Sequence, residues 1–330
     1  MDESWGISVL DLSRMVPEWL FLTIKATVAV VCCLVFLPCC VVMIRTEAVH
    51  VNCKMVLIAS TLTQQLLLLT QVAMFVYDII IGNLMPETEE QEFWFCMVHE
   101  MAYFMTTYLS LLVVIERFVA AKFSAIYEPC RLRTPVVVFL LLLGIVGAGP
   151  FAYAIHALNW YFPSIGVMLT AETSIFLFSI LLLLYSQKRI KVLPYDRSRL
   201  GAKYQLGEVS TFTRAILPPI MVSSVIKTIG LVPPTLWKLG YFGYPYSAMF
   251  FFCTHAINCV VVKGLLIICH RGFRKTFDRM ICSRKSVDDQ DLQEYVPAVT
   301  RSNETTVYFQ MLSAAWSQPV PKGQQPYVVS

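Results

Sequence analysis

The stretch Ser110–Arg131, SLLVVIERFVAAKFSAIYEPCR, decides how the chain is read. A long apolar run ends abruptly in Glu116 and Arg117. An apolar face has no use for two adjacent charges, and a solvated surface would not be this apolar on either side. A helix that crosses a bilayer and closes at a headgroup boundary accommodates both features, because charges at the end of a span reach the polar layer.

Composition widens that reading to the whole chain. Charged residues make up 15% of the 330 and hydrophobic ones 57%, where soluble domains carry about a quarter charged. Such a chain cannot cover its apolar surface with polar side chains, so a bilayer is its simplest solvent. About 20 apolar residues span a hydrocarbon core of roughly 30 Å at 1.5 Å per residue. Seven runs qualify: Leu20–Ile44, Met55–Ile81, Phe95–Ala121, Pro135–Ala157, Ser164–Ser186, Phe212–Leu236 and Tyr246–Cys269. The break between the fourth and fifth is ALNWYFPS, Ala157–Ser164. The sixth run holds Pro218, Pro219, Lys227, Pro233 and Pro234. It reads as a kinked span, since neighbouring helices can satisfy the carbonyls that proline frees. The expected fold is all-α, a seven-transmembrane helix bundle. An N-terminal segment 1–19 precedes the bundle at 20–270; a short helix at 271–282 and a polar, disordered tail at 283–330 follow it.

Lys and Arg set the orientation. Arg45 and Lys54, then Lys122, Arg131 and Arg133, then the run from Lys188 to Lys203, then Arg271 to Lys285 all fall on one side. The other side has Arg14 and Lys238 with acidic segments, among them PETEEQE at Pro86–Glu92. The N-terminus is therefore expected outside and the C-terminus in the cytoplasm. Trp19, Trp94, Trp160 and Trp237 fall at the outer span ends, as an interfacial belt should. MDESWG lacks the basic start of a signal peptide, and Lys25 interrupts the first apolar run, so the first span is expected to insert uncleaved. Most of the eleven cysteines lie inside spans or near the cytoplasmic side. Only Cys96 lies near the oxidising side, and the loop Ala157–Ser164 offers it no partner, so these thiols read as free packing residues.

Two constellations remain. The first is Glu116–Arg117 at the cytoplasmic end of the third span, followed by Tyr127, Glu128 and Arg131. IERF there resembles the Glu/Asp-Arg-Tyr element of rhodopsin-like receptors. The longer ERFVAAKFSAIYE is similar to nematode serpentine chemoreceptors of the Sra superfamily. HVNCKMVL, His50–Leu57, fits the same group, and LGAKYQLGEVSTFTR, Leu200–Arg214, is similar to a segment of the Sre-like branch; the Sra, Srab and Srb branches stay open. The resemblance implies a G-protein-coupled receptor for environmental chemicals, in the plasma membrane of sensory neurons. It makes Arg117 the residue presented to a heterotrimeric G protein and Glu116 its resting partner, with Tyr127, Glu128 and Arg131 beside them. The chain departs from rhodopsin-like receptors in Phe118, in the position of Cys96, in the seventh span (no Asn-Pro-x-x-Tyr) and in the sixth (no Trp beside its prolines).

The second constellation comes from depth. Glu172, Lys227 and His255 each lie about eight or nine residues inside the outer end of their spans, roughly 12–14 Å down. Ionisable groups there cost at least about 2.5–3.5 kcal/mol each, so they face the interior and pair. Glu172 and Lys227 form a structural bridge, or Lys227 or His255 is the handle of a ligand pocket; the two readings are compatible. Asn258 lies one turn below His255 and can join either. His99 and Glu100, at the start of the third span, are candidates for the mouth. Gln64, Gln65 and Gln71 read as interhelical hydrogen bonds. Lys263 can snorkel, and Asp78 stands alone near the outer end of the second span.

In CHRGFRKTFDRMICSRK, Cys269–Lys285, Phe273, Phe277 and Ile281 share one helical face and Arg271, Arg274, Lys275 and Arg279 supply the basic side. This reads as an amphipathic helix on the anionic inner leaflet, with Cys282 a candidate palmitoylation site. The expected function is chemosensory: a small molecule in an outer cavity activates a heterotrimeric G protein. The rival is a transporter or channel that uses Glu172, Lys227 and His255 as its path. An intramembrane enzyme is disfavoured, for there is no HExxH and no pair of catalytic aspartates inside spans. No cofactor, metal or nucleic acid is expected.

Overall fold

Helix formation follows from the solvent: a chain crossing lipid must satisfy every backbone polar group within its own segment. The computed structural model of the chain describes residues 18–46, 49–81, 92–124, 133–158, 160–192, 200–241 and 243–282. Among these, eight helices occur: α1 Glu18–Arg45, α2 Val51–Ile81, α3 Phe93–Lys122, α4 Arg133–Ala157, α5 Tyr161–Val192, α6 Leu200–Lys238, α7 Tyr244–Cys269 and α8 Arg271–Cys282. The first seven are long and apolar enough to cross a membrane. Tyr127, Glu128 and Arg131, the side chain of Cys282, residues 1–17 and all of 283–330 lie outside the described residues.

The spans match the apolar runs, but several helices outrun them. α6 starts at Leu200, twelve residues before the run at Phe212, and passes unbroken through all four of its prolines. α5 begins at Tyr161, so the break from α4 shrinks to three residues. Hydropathy marks only the part of a helix that lipid touches, and the helix itself continues while its polar residues point to water or to neighbours. α6 stops where Gly240 adopts φ 81°. The Gly240 N–H donates to the Trp237 carbonyl at 2.8 Å and the Tyr241 N–H to the Leu236 carbonyl at 2.9 Å. This is a glycine-closed helix end that caps orphan carbonyls. It fixes Trp237 and Lys238 at that end of the bundle.

The helices close into a ring in chain order, with α7 packed on both α6 and α1. α3 runs through the middle, against α2, α4, α5 and α6, and is the most buried span. Lipid is as apolar as leucine, so close packing rather than hydrophobicity holds such helices together. Gly144 allows α4 to approach α3, because a Cβ there would come within 2.5 Å of the Tyr108 ring. The Tyr108 hydroxyl donates to the Leu140 carbonyl on α4 at 2.8 Å. Hydroxyls on exposed faces are satisfied locally: Thr170, Thr173 and Thr228 each donate to the carbonyl four residues back at 2.7–2.8 Å.

α8 does not carry its whole apolar face on its outer side. Phe273 is buried in the core with Cys53, Phe212 and Leu266, and Phe277 packs against that cluster; only Ile281 is exposed. Thr46 Oγ1 donates to Thr276 Oγ1 at 3.1 Å and ties α8 to the end of α1. His270, between α7 and α8, is buried against Phe212 and Phe273, and that burial pushes its imidazole pKa down to about 4.

Candidate functional site

Glu116 and Arg117 close α3 side by side, and both are buried, Arg117 at 1% exposure. The guanidinium folds back on its neighbour: Nη2 donates to Glu116 Oε1 at 2.8 Å and Nε to Oε2. Nη1 donates across to Glu208 Oε1 on α6 at 3.1 Å. Glu208 also accepts the His50 backbone N–H at 3.3 Å, so one carboxylate joins α3, α6 and the start of α2. The Phe212 ring covers the guanidinium at 5.8 Å. A bidentate partner and a second carboxylate together offset the desolvation of a buried arginine; removing one leaves charge stranded. Glu208 is the residue that the sequence reading missed. Its signal was present in the Leu200–Arg214 stretch, but with the sixth span begun at Phe212 it fell in a loop.

The second constellation forms a layer deeper in the bundle. Lys227 Nζ contacts Glu172 Oε1 and donates to Thr107 Oγ1 at 3.0 Å. Thr107 donates in turn to Glu172 at 2.8 Å. The three groups belong to α6, α5 and α3 and satisfy one another. Above them Tyr103 carries Lys227 on its ring at 5.4 Å and stacks on His255 at 4.2 Å. His255 Nδ1 and His99 Nε2 lie 3.1 Å apart, so one ring donates to the other. The His99 Nδ1, His255 Nε2, Tyr103 Oη and Asn258 Oδ1 atoms are buried without a protein partner. Gln71 donates to the Phe252 carbonyl at 2.9 Å, an interhelical bond between α2 and α7. Lys263 does not snorkel: it is buried and donates to Ser60 Oγ on α2 at 3.3 Å.

The end opposite Arg117 holds a third charged cluster. Asp78 does not stand alone. Lys25 Nζ donates to Asp78 Oδ2 at 2.8 Å and to Glu92 Oε1 at 2.9 Å. The Tyr244 hydroxyl donates to Glu92 Oε2 at 3.0 Å, and Cys96 Sγ lies 3.5 Å from it. This buried network ties α1, α2, the start of α3 and α7 at the end where the chain has no disulfide among its described residues.

Beside that cluster lie two small cavities, of about 20 Å³ and about 50 Å³, room for one water and a few. They share Glu100, Tyr161 and Phe251 as walls. Of the residues expected to form a pocket, Glu100 lines both cavities. His99, Glu172, Lys227, His255 and Asn258 line neither and form the layer beneath, with Tyr103, which does line the smaller one, between. Among the described residues no group of three or more metal-ligating side chains is assembled.

Seven membrane-type helices, with a buried arginine near the end of the third, define a multi-pass helical membrane protein. Residues 17–153 match the family model described as serpentine type 7TM GPCR chemoreceptor Srbc. The match takes in α1, α2, α3 and most of α4, including the Glu116–Arg117 stretch. Over those residues the chain is similar to chemoreceptors of the serpentine type, the kind of protein that the α3 motif resembles. The Sre-like leaning rested on Leu200–Arg214, outside the matched residues, and the model that matches is the Srbc one. No curated protein matches the chain.

Proposed function

We propose that the protein is a chemosensory G-protein-coupled receptor that detects a small-molecule cue at the Glu100 end of the bundle and activates a heterotrimeric G protein at the Arg117 end. The observation that carries this reading is the double hold on Arg117, by Glu116 on its own helix and Glu208 on α6. The Glu100 end faces outside, the Arg117 end faces the cytoplasm, and the protein resides in the plasma membrane of sensory neurons. In the resting form Arg117 is neutralised and covered. Parting α6 from α3 strands Glu208 and uncovers Arg117, which is costly until another partner arrives. Such an element has two states, and a cue shifts the population by binding one better than the other. Tyr127, Glu128 and Arg131 extend the G-protein surface. The basic side of α8 lies against the anionic inner leaflet, with Cys282 as a lipidation site.

The chamber and the switch have a physical connection. Tyr103 lines the smaller cavity and also carries Lys227, which bonds to Glu172 and Thr107. A ligand that moves Tyr103 therefore acts on α5 and α6 through a buried pair. The test is a small-molecule screen on the surface-expressed receptor with a promiscuous Gα readout, followed by Arg117→Ala. The expected result is a cue that activates the wild type and leaves Arg117→Ala silent at equal surface level. An Arg117→Ala receptor that responds undiminished overturns the role given to Arg117.

A further inference from the structure

Several polar groups on the chamber walls are already answered by the protein. The Ser164 hydroxyl donates to the Tyr161 carbonyl at 2.7 Å, and the Tyr244 hydroxyl donates to Glu92. Glu100 and His156 have interactions of their own. The Tyr103 hydroxyl differs from these. Tyr103 is 3% exposed and lines the smaller cavity, yet its Oη has no hydrogen-bond partner among the described residues. Its ring is held on its faces, by the stacked His255 ring at 4.2 Å and the Lys227 ammonium at 5.4 Å, so it is not placed to swing toward another acceptor. A hydroxyl kept dry and unpaired is costly, and at a cavity wall it marks where an acceptor from outside the protein can sit.

The surroundings disfavour a charged ligand of either sign. Aromatic faces attract cations, but three of these rings already hold ammonium groups. Lys227 lies over Tyr103, and Lys238 lies 4.1 Å from the Trp237 centroid and 5.5 Å from that of Tyr161. An anion would be brought beside Glu100, which lines both cavities, and like charges repel. The walls otherwise include Met168, Leu231, Pro234, Phe251 and Phe252, against which a charge loses its hydration and gains nothing.

From this we infer that the chamber takes a small neutral molecule with one hydrogen-bond-accepting oxygen, which receives the Tyr103 proton while an apolar or aromatic body lies among Trp237, Phe251 and Phe252. The inference rests on the reading of this end as the ligand site, and it adds the ligand's chemical class and its polar handle. The two cavities are small and share Tyr161 and Phe251 as walls, so a ligand the size of a phenyl ketone joins them by displacing those two rings. The oxygen then bonds to the same side chain that carries Lys227.

The probes are acetophenone, ethylbenzene, 1-phenylethylamine and benzoate, four molecules of similar size with a neutral acceptor, no polar head, a cation and an anion. Binding is measured calorimetrically on the full chain in lipid nanodiscs, with empty nanodiscs as the blank for partition into lipid. Wild-type protein is expected to bind acetophenone about tenfold more tightly than ethylbenzene, and to bind the amine and benzoate more weakly than either. Tyr103→Phe keeps the ring and removes only the hydroxyl. It is expected to lose about tenfold for acetophenone and to leave ethylbenzene unchanged. The infrared carbonyl band of bound acetophenone should lie lower in wild type than in Tyr103→Phe, which a purely steric role of Tyr103 would not produce. The comparison of four probes on the wild type holds even if the variant folds poorly. If ethylbenzene, the amine or benzoate binds as tightly as the ketone, and Phe251→Ala removes that binding, the chamber stands and the neutral-acceptor class is wrong. If Tyr103→Phe changes neither the affinity nor the carbonyl band, Tyr103 is not the handle and its hydroxyl serves a water only. If none of the four binds, the ligand class and the chamber reading both fall, whatever Arg117→Ala does to coupling.

Discussion

Lys227 and Glu172 are 55 positions apart, yet each was conspicuous in the sequence because a charge in a span is expensive enough to demand a partner. Depth alone matched them. The same logic did not find Lys25, Asp78 and Glu92, although Lys25 and Asp78 are equally conspicuous. Two charges at similar depth meet only if both helices are rotated toward one another, and rotation of a uniformly apolar helix leaves no trace in its pattern. Glu92 was further hidden among the acidic residues of Pro86–Glu92, any of which is chemically equivalent. For the buried pair, Lys227→Met should lower unfolding stability by about 3–5 kcal/mol, because Glu172 is left charged and dry beside Thr107. Adding Glu172→Gln should restore most of that loss. Thermal unfolding of the detergent-solubilised protein measures both; a double variant no more stable than the single rejects a net pair.

At the scale of elements, the seven spans were legible because length and hydropathy are dictated by bilayer thickness. Their ends were not, since α6 and α5 continue as helices beyond the apolar part, and Glu208 was lost with the misplaced start of α6. α8 was legible as a helix, but a lipid-facing and a protein-facing apolar face have the same spacing. Its junction gives a pH prediction. The His270 ring is neutral in the fold down to about 4, against an ordinary value of 6.5. The unfolded chain therefore takes up the proton first. The stability contributed by the buried neutral ring is fully present above about 6.5. It declines by at most roughly 1.4 kcal/mol per pH unit down to about 4 and is level below that. Unfolding followed from pH 7 to 4 should show this slope in the wild type, and His270→Gln should reduce it. Between α3 and α4 the prediction is steric. Gly144→Val drives its side chain into a Tyr108 ring fixed by its bond to Leu140. It should cost about 1–3 kcal/mol, as overpacking does. A melting temperature equal to that of the wild type would mean that the helices have room to part.

The described helices form a ring around α3 with a polar element at each of three levels: the Lys25 cluster and chamber at one end, the Glu172–Lys227 layer within, and Arg117 at the other end. α3 contributes to all three through Glu100, Thr107 and Arg117. α6 also reaches all three levels, through Trp237, Lys227 and Glu208. In the proposed function, a cue at one end is read at the other through these two helices, which the Thr107–Lys227 hydrogen bond joins between the ends. The central claim is that the contact between Arg117 and Glu208 holds the receptor in its resting form. Ligand-independent nucleotide exchange on a panel of Gα subunits by the reconstituted receptor tests it without knowledge of the cue. Glu208→Gln removes one hold on Arg117 and should raise basal exchange several-fold on at least one Gα, and Arg117→Ala should not. If basal exchange with Glu208→Gln equals that of the wild type on every Gα that couples, the contact is a structural tie and the switch lies elsewhere.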